Sequence, residues 1–481
     1  MVKFFRLFLF CKEKDMALKN LFGDRAFYKR VLCVAVPIMI QMGITNFVNL
    51  LDNIMVGSLS TEAMSGVAIV NQFMFIMNLA VFGSISAAGI FTAQYHGSGD
   101  REGVKATFRL KMLICLTVSL IAIGIFFFLD DELISLFLHT GSESGDLAAT
   151  LLFGKEYLAV ILIGIIPYAM TQVYASTMRE TGETVVPMVA SLSAVAVNFF
   201  GNLLLIFGLC GFPKLGVVGA AIATTVSRFV ELGFLALWGH THTKRYPFLD
   251  RVFRSFRIPL SLVRRVTVKG LPLLLNELLW ATAMTFRNQC YSTRGLDAVA
   301  AQNIATTIFN VFNVVYLALG NAIAIMVGNC LGAGDEERAK DEDRKLITFS
   351  VLCATGMGIL LIAVSPFFPM LYNTGDTVRG MATYMIAVLG ILMPSGAFAH
   401  AGYFTLRSGG KVGLTFIFDS GFMWGVVIPS CLLLAHLTPI SIFLLYPICQ
   451  SIDILKNFVI GYFVKRGSWA KCLVSGEKND A

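Results

Sequence analysis

The sequence has 481 residues, of which 56% are hydrophobic and 14% are charged, with a formal net charge of +8. Soluble domains carry about 25% charged residues, so this composition excludes an ordinary soluble protein and predicts an all-α polytopic membrane protein. The positive charge is concentrated in loops between apolar runs, which points to an anionic lipid surface and not to a nucleic-acid partner.

Twelve apolar runs follow one another along the chain, each with the roughly twenty residues that cross about 30 Å of hydrocarbon as a helix. The first six form a predicted bundle over 31–239, with spans at 31–57, 63–95, 109–129, 151–176, 184–208 and 216–239. The second six form a bundle over 268–464, with spans at 268–291, 297–330, 346–367, 380–406, 412–436 and 438–464.

Shorter segments connect and flank these spans. Residues 1–30 are basic and contain Met16, an alternative start, and residues 465–481 form a polar tail. A basic loop over 240–267 joins the two bundles, and an amphipathic piece over 132–140 is predicted to lie on the surface.

Lys and Arg fall almost entirely on one side of this topology. With the N-terminus inside, the outside segments carry only Lys155, Lys214, Arg294 and Arg379. This bias fits the positive-inside rule and an even number of spans. We therefore predict a multi-pass protein of the plasma (inner) membrane with both termini in the cytoplasm.

The two bundles are related by an internal repeat. PIMIQMGITNFVNLLD begins at Pro37 and PLLLNELLWATAMTFR begins at Pro272, and the same offset of 235 residues carries the HGSGD loop at Gly97 onto the LGAGD loop at Gly332. Because six is even, both bundles start on the same side of the membrane. The sequence therefore predicts two parallel repeats of six helices, related by an axis along the membrane normal.

Asp52 ends a polar stripe of the first span that also contains Gln41, Thr45 and Asn49 at helical spacing. An unpaired carboxylate inside a span costs several kcal/mol, so Asp52 should face a protein cavity. A desolvated acid favours a bound proton or cation over a bare charge, and no cationic residue is expected beside it. The stripe predicts a proton or cation site; a buried acid bonded to neighbouring amides for packing is the alternative.

The seventh span carries Glu277, Trp280 and Arg287. Trp280 lies at i+3 from Glu277, and an acid with an aromatic neighbour suits an organic cation; a helix–helix hydrogen bond is the alternative. Arg287 takes the repeat position of Asp52, so the two halves are electrically unlike. Arg287 either shares a cavity wall with Glu277 or reaches the outer surface.

Other polar side chains in the spans predict further cavity walls or structural pairs. Asn198 and Asn202 are at i, i+4 in the fifth span, and Thr224 lies among small residues in the sixth, with a site and simple packing both open. A second polar stripe in the eighth span consists of Gln302, Thr306, Asn310 and Asn313. Two pairs at i, i+3 are predicted to be structural ion pairs: Arg228 with Glu231, and Asp453 with Lys456.

With these motifs, the chain resembles the multidrug and toxic compound extrusion (MATE) family over about residues 20–465, as a prokaryotic member similar to NorM and DinF. The resemblance rests on LLDNIMVG, the GSGD and GAGD loops, GLPLLLNE, and TMRETG with TLRSGG. It implies twelve helices in two lobes around a central cavity. It also implies a monomer in membrane lipid that exports organic cations and amphipathic drugs by alternating access, against an inward H+ or Na+ gradient.

The resemblance also assigns roles to individual residues. Asp52 matches the family's first-helix acid, Asn198 and Asn202 match its fifth-helix polar pair, and Glu277 matches the seventh-helix acid of NorM-like members. The tenth-helix acid of those members is missing, since Gly396 stands in its place. A second-half Na+ site is therefore doubtful by this comparison.

These inferences define the predicted site. Ion coupling is assigned to Asp52, Asn198, Asn202 and Thr224. A substrate cavity is assigned to Asn49, Glu277, Trp280, Arg287, Gln302 and Asn310, with a Na+ at Asp52 or Glu277 as one form of coupling. No motif predicts an enzyme, a cofactor or a resident metal. The alternatives are a lipid-linked precursor flippase, with Arg287 as its one embedded support, and a membrane protein that transports nothing.

Overall fold

The computed structural model describes residues 21–135, 147–255, 257–372 and 374–474. Met16 and most of the basic segment 1–30 lie outside the described residues, as do residues 475–481 of the tail. The amphipathic piece predicted over 132–140 is described only in part, where Asp130–Ser135 forms a short helix.

Twelve long helical segments make up the fold, and the described residues contain no strand. The first six are α1 Arg25–Gly57, α2 Thr61–Gly97, α3 Arg101–Phe128, α4 Leu147–Glu180, α5 Val185–Phe207 and α6 Gly216–Thr241. The second six are α7 Leu260–Ser292, α8 in two parts (Leu296–Phe312 and Val314–Gly332), α9 Glu336–Val364, α10 Asp376–Ser408, α11 Val412–Leu437 and α12 Ile442–Arg466. The predicted all-helical, twelve-helix membrane fold is confirmed.

Eleven helices of the described chain are long and apolar enough to cross a membrane. The remaining one is α7, whose charged and polar side chains lower its mean hydropathy. Its start also differs from the prediction, because α7 begins at Leu260, inside the segment predicted as the connecting loop. A helical pattern of mixed polarity is harder to separate from a basic loop than a uniform apolar run.

Besides α8, which is interrupted at Asn313, two further helices of the second half are irregular, which their apolar sequences did not predict. In α11, Ile417–Gly421 and Met423–Val427 are π-helical. In α12, the helix ends at Ser451 and resumes at Ile454. Each irregular segment contains an acidic residue, Asp419 in α11 and Asp453 in α12.

The two repeated glycine loops begin α3 and α9 in the same way. Gly99 and Gly334 have φ of +76° and +81°, a left-handed conformation that glycine adopts without steric cost. The following residues, Asp100 and Asp335, are N-caps whose carboxylates accept from the backbone nitrogens of Gly103 and Arg338 at 2.9 and 3.0 Å. The repeat predicted from the sequence is therefore present in local geometry as well.

The helices group into two compact units. The N-terminal unit consists of Ile40–Thr92 and Asp100–Leu274, and the C-terminal unit consists of the described parts of Met1–Met39, Ala93–Gly99 and Leu275–Ala481. The division passes through α1 and α7, two residues after Pro37 and two residues after Pro272. These are equivalent points of the repeat, so the start of each of these helices belongs to a different unit from its remainder.

A reciprocal contact of repeat-equivalent residues lies within the C-terminal unit. A Cβ at Gly97 would collide with the carbonyl oxygen of Asn329, and a Cβ at Gly332 would collide with that of Gln94. Gln94 and Asn329 are themselves related by the 235-residue offset. Glycine is required at both positions because the two helix ends approach backbone to backbone.

Candidate functional site

A cavity of about 510 Å³ lies inside the N-terminal unit, a volume within the range typical of small-molecule sites. Side chains of α1, α2, α4, α5 and α6 line it. The predicted stripe of α1 is part of this lining, since Gln41, Thr45, Asn49 and Asp52 all reach the cavity. The helical spacing of these residues therefore predicted one wall of the cavity correctly.

Asp52 is held in this cavity by amide groups from α5. Asn202 Nδ2 donates to Asp52 Oδ1 at 2.6 Å. In the amide orientation that satisfies its neighbours, Asn198 donates to both carboxylate oxygens at 3.0 and 3.1 Å and accepts from the Thr224 hydroxyl at 3.1 Å. The four residues predicted for ion coupling thus lie together, on three different helices.

The carboxylate of Asp52 has no built-in counter-ion within ion-pair distance among the described residues. Its hydrogen-bond donors are neutral, and they stabilise a negative charge without cancelling it. Asn202 lies 1% exposed, and its Oδ1 atom is buried without a hydrogen-bond partner among the described residues. The Asn202 amide thus bonds Asp52 through its nitrogen and leaves its oxygen unsatisfied in the described structure, which is uncommon for a buried polar atom.

Arg228 and Glu231 also line this cavity, one and two turns beyond Thr224 on α6. The predicted pair is present, with Arg228 Nη1 at 3.5 Å from Glu231 Oε2, and the Arg228 guanidinium lies 5.0 Å from the centre of the Tyr168 ring. The expectation that no cation lies near Asp52 is wrong in this respect. Arg228 shares the cavity with Asp52 but is engaged by its own acid and by an aromatic ring.

Glu277 lies in the C-terminal unit and accepts a hydrogen bond from the Tyr403 hydroxyl of α10 at 3.2 Å. This is the helix–helix hydrogen bond that the sequence left as the alternative to a cation site. Trp280 is half-buried one turn further along α7. Tyr403 was not anticipated, since a tyrosine in an apolar span gives no signal of which acid it contacts.

Arg287 is half-buried and ion-paired rather than extended to the surface. Its Nη1 atom lies 3.0 Å from Asp453 Oδ2 of α12, and its side chain is 11% exposed. Asp453 also faces Lys456, at 3.5 Å, and Lys456 faces Asp419 of α11 at 3.7 Å. The pair Asp453–Lys456 was predicted, whereas its extension to Arg287 and Asp419 was not.

Asp419 is a functional candidate that the sequence reasoning missed. It is the one acidic residue of α11, and the criterion applied to Asp52, a carboxylate inside an apolar span, would have selected it. Asn276 Nδ2 donates to Asp419 Oδ2 at 2.9 Å, and the Asn276 side-chain oxygen accepts from the Ser420 hydroxyl at 2.7 Å. Asn276 therefore fastens α7 to the π-helical part of α11.

Two residues of the polar stripe predicted on α8, Gln302 and Asn310, have side-chain hydrogen bonds in the structure. Gln302 is buried and donates from Nε2 to Asn288 Oδ1 of α7 at 2.6 Å. Asn310 is exposed, and its side-chain oxygen lies 3.5 Å from Asn313 Nδ2. Within the described residues, Gln302 links two helices, and the cavity roles assigned to Gln302 and Asn310 stay predictions.

Comparisons with known proteins follow the same division of the chain. The MatE family model matches twice, over residues 37–204 and 272–433. The two matches begin at Pro37 and Pro272, the same residues that mark the internal repeat. Together they cover more than half of the chain.

Bacterial multidrug resistance proteins are among the similar sequences. A probable multidrug resistance protein NorM of Halalkalibacterium halodurans is 25% identical over 86% of this chain and 88% of its own length. The multidrug resistance protein MdtK of Edwardsiella ictaluri is 25% identical over 85% of this chain and 87% of its own length.

Solved structures share the fold. An outward-facing multidrug resistance MATE family transporter of the MOP superfamily superposes with a TM-score of 0.82, at 20% identity over 95% of this chain and 98% of that one. A MOP superfamily transporter from Pyrococcus furiosus, described as having a binding pocket of reverse polarity, superposes with a TM-score of 0.80, at 20% identity over 95% of this chain and 99% of that one. At this identity the likeness concerns the fold.

Proposed function

Since the chain belongs to the MatE family of transporters as a NorM-like member, we propose that it is a cation-coupled antiporter, driven by H+ or Na+, that exports organic cations and amphipathic drugs. Its homologues are multidrug efflux transporters, and the chain itself is a multi-pass membrane protein. The coupling ion, the substrate class, the inner-membrane location and the cytoplasmic termini are parts of the proposal.

The observation that supports the proposal is the hydrogen-bonded environment of the Asp52 carboxylate. Amides of Asn198 and Asn202 hold its carboxylate, and the Asn202 side-chain oxygen beside it lacks a partner in the described structure. Oxygen ligands suit Na+, while a protonated carboxyl group would donate to an amide oxygen after rotation of the amide. Either ion would neutralise the acid and satisfy the open acceptor.

Neutralisation of Asp52 provides the differential affinity that coupling requires. A gradient drives a conformational change only if the ion binds one state more tightly than the other. Asp52 on α1 is joined to α5 through two amides, and Asn198 is joined to α6 through Thr224. Binding an ion at Asp52 therefore alters contacts among three helices at once, and this change biases the bundle between inward- and outward-open states.

The test is substrate efflux from proteoliposomes under an imposed H+ or Na+ gradient. Asp52→Asn keeps the size of the side chain and removes its charge, so the site is permanently neutral. We expect the variant to fold and to bind substrate, but to lose gradient-driven efflux almost completely. Asp376→Asn, at the exposed start of α10, is the matched control and should transport as the wild type does.

Gradient-dependent efflux by Asp52→Asn at the wild-type rate would contradict the assignment of Asp52 as the coupling residue. The coupling role would then pass to Glu277. Performing the assay separately with H+ and with Na+ gradients identifies the coupling ion. An ionophore that dissipates each gradient gives the rate of efflux in the absence of that driving force.

No specific observation favours the flippase alternative. Its support was Arg287 as an embedded cation free to attract an anionic lipid headgroup. Arg287 is instead paired with Asp453 at 3.0 Å, so its charge is already compensated.

A further inference from the structure

We propose that Lys456 is a tethered cation that fills a monovalent-cation site formed by the carboxylates of Asp419 and Asp453 in the C-terminal unit. The Lys456 ammonium lies 3.7 Å from Asp419 Oδ1 and 3.5 Å from Asp453 Oδ1. Its side chain is 13% exposed. The ammonium is within ion-pair distance of both acids at once, so it lies between the two carboxylates.

Each carboxylate is held in place by a different partner through its other oxygen. Asp453 uses Oδ2 for Arg287, at 3.0 Å, and Asp419 uses Oδ2 for the Asn276 amide, at 2.9 Å. Asn276 is itself buried, at 2% exposure, and bonded to Ser420. The two Oδ1 atoms are thereby left facing Lys456, and Asp453 Oδ1 is buried with no other hydrogen-bond partner in the described chain.

The backbone is irregular where these acids lie. Asp419 belongs to the π-helical segment Ile417–Gly421 of α11, and Asp453 lies in the interruption of α12 between Ser451 and Ile454. π-Bulges occur frequently at functional sites. Irregular backbone at membrane depth is tolerated where it is enclosed by protein or lines a cavity. Two distorted helices that direct acids toward one lysine indicate a constructed site rather than chance proximity.

The class of ligand follows from the group that occupies the site. Two carboxylate oxygens around one ammonium suit a small monovalent cation, and ammonium or methylammonium reproduces the end of the lysine side chain most closely. Among the described residues, loss of Lys456 leaves Asp419 without an ion pair and leaves Asp453 paired with Arg287. A carboxylate that is largely shielded from water and lacks a counter-ion is unfavourable, so the emptied site should bind a cation from solution.

The experiment compares thermal unfolding of the purified full-length chain in detergent with and without added cation. Lys456→Ala and the wild type are titrated with methylammonium chloride against choline chloride at equal ionic strength and fixed pH. We expect the Tm of Lys456→Ala to rise by several degrees, in proportion to the logarithm of the methylammonium concentration. The wild type should not distinguish the two salts, because its site is already filled.

Lys340→Ala provides the matched control. Lys340 forms an i, i+3 pair with Glu337 at 2.8 Å, and Glu337 is 87% exposed, so its loss leaves an acid in water and should produce no selective response. Equal responses of Lys456→Ala and Lys340→Ala to methylammonium would overturn the proposal. A selective response of the wild type itself would do the same.

A second variant keeps the test decisive if Lys456→Ala is not recovered from membranes. Lys456→Met combined with Asp419→Asn removes one charge of each sign and leaves Asp453 with Arg287. Recovery of this double variant with no methylammonium response supports the site, whereas loss of both variants contradicts it. The readout is binding to the protein rather than efflux, so its failure is distinguishable from failure of the coupling role of Asp52.

Discussion

The cavity of the N-terminal unit and the ionic network of the C-terminal unit compensate a buried acid in opposite ways. In the cavity, Asp52 is surrounded by neutral amides and a buried oxygen without a partner. In the network, Asp419 and Asp453 face Lys456 and Arg287. The second arrangement contains its own cations within ion-pair distance, whereas the first has none among the described residues. The coupling role proposed above therefore rests on the first arrangement.

The two halves differ in the charge of equivalent residues although they share their helix geometry. The repeat retains Pro37 and Pro272, the capped glycine loops and the reciprocal glycine contacts, all of which determine helix geometry. The position of Asp52, however, is occupied by Arg287 in the second copy. Geometry is thus common to the two halves, while the sign of the charge at an equivalent position is reversed.

The largest expected effect concerns Arg287. Arg287→Met leaves Asp453 without its closest cation. Breaking a fully buried ion pair costs about 3–5 kcal/mol, which is an upper bound for side chains that are 11% and 26% exposed. We expect a large drop in Tm and in the folded yield, measured by thermal unfolding in detergent. Asp52→Asn, in contrast, should change Tm little, because no ion pair is broken. Equal losses for the two variants would remove the distinction between the two regions.

Rescue identifies the cause of that loss. Arg287→Met combined with Asp453→Asn restores charge balance, with Lys456 still beside Asp419, and should recover most of the stability. Lys340→Met, in an exposed pair, should be nearly neutral, as surface ion pairs contribute only about 0–1 kcal/mol. A double variant as unstable as Arg287→Met alone would point to lost packing instead of lost charge.

A smaller effect is expected at Glu277, which belongs to the C-terminal unit and, among the described residues, accepts a hydrogen bond from the Tyr403 hydroxyl at 3.2 Å without forming an ion pair. Glu277→Gln preserves the hydrogen bond and removes the charge. We expect efflux of cationic substrates to fall about tenfold, equivalent to about 1.4 kcal/mol, while neutral substrates are affected less. Glu156→Gln, at an exposed position of α4, is the control. Equal loss for both substrate classes would indicate a structural role.

The features that could be predicted from the sequence are those that leave a periodic pattern or a bias in charge along the chain. The helix content, the repeat, the stripe ending at Asp52 and the partners Asn198, Asn202 and Thr224 all follow from spacing within single helices or from the family resemblance. Contacts between helices distant in sequence were not accessible. Arg287 meets Asp453 across 166 residues, and nothing local to either residue identifies the other.

The irregularities of α11 and α12 were equally hidden. Their sequences are apolar runs, and an apolar run does not reveal where a helix widens or breaks. The missed residue Asp419 shows a different limit, since its signal was present. A single acid in an apolar span predicts a partner or a site, and applying this rule to every span would have found it.

The smallest expected effect concerns Arg228, which shares the cavity with Asp52 and therefore tests the comparison most directly. If Arg228 were the counter-ion of Asp52, both regions would compensate an acid with a cation of the protein itself.

The geometry argues otherwise, because Arg228 contacts Glu231 and the Tyr168 ring, and its side chain is 36% exposed. Glu231 is 6% exposed, and the Gln side chain can still donate a hydrogen bond to its carboxylate in place of Arg228. Arg228→Gln should thus lower Tm less than Arg287→Met does and leave efflux dependent on the gradient, as measured in the proteoliposome assay used for Asp52→Asn. Loss of that dependence with normal substrate binding would mean that Asp52 relies on a built-in cation, as the acids of the C-terminal unit do.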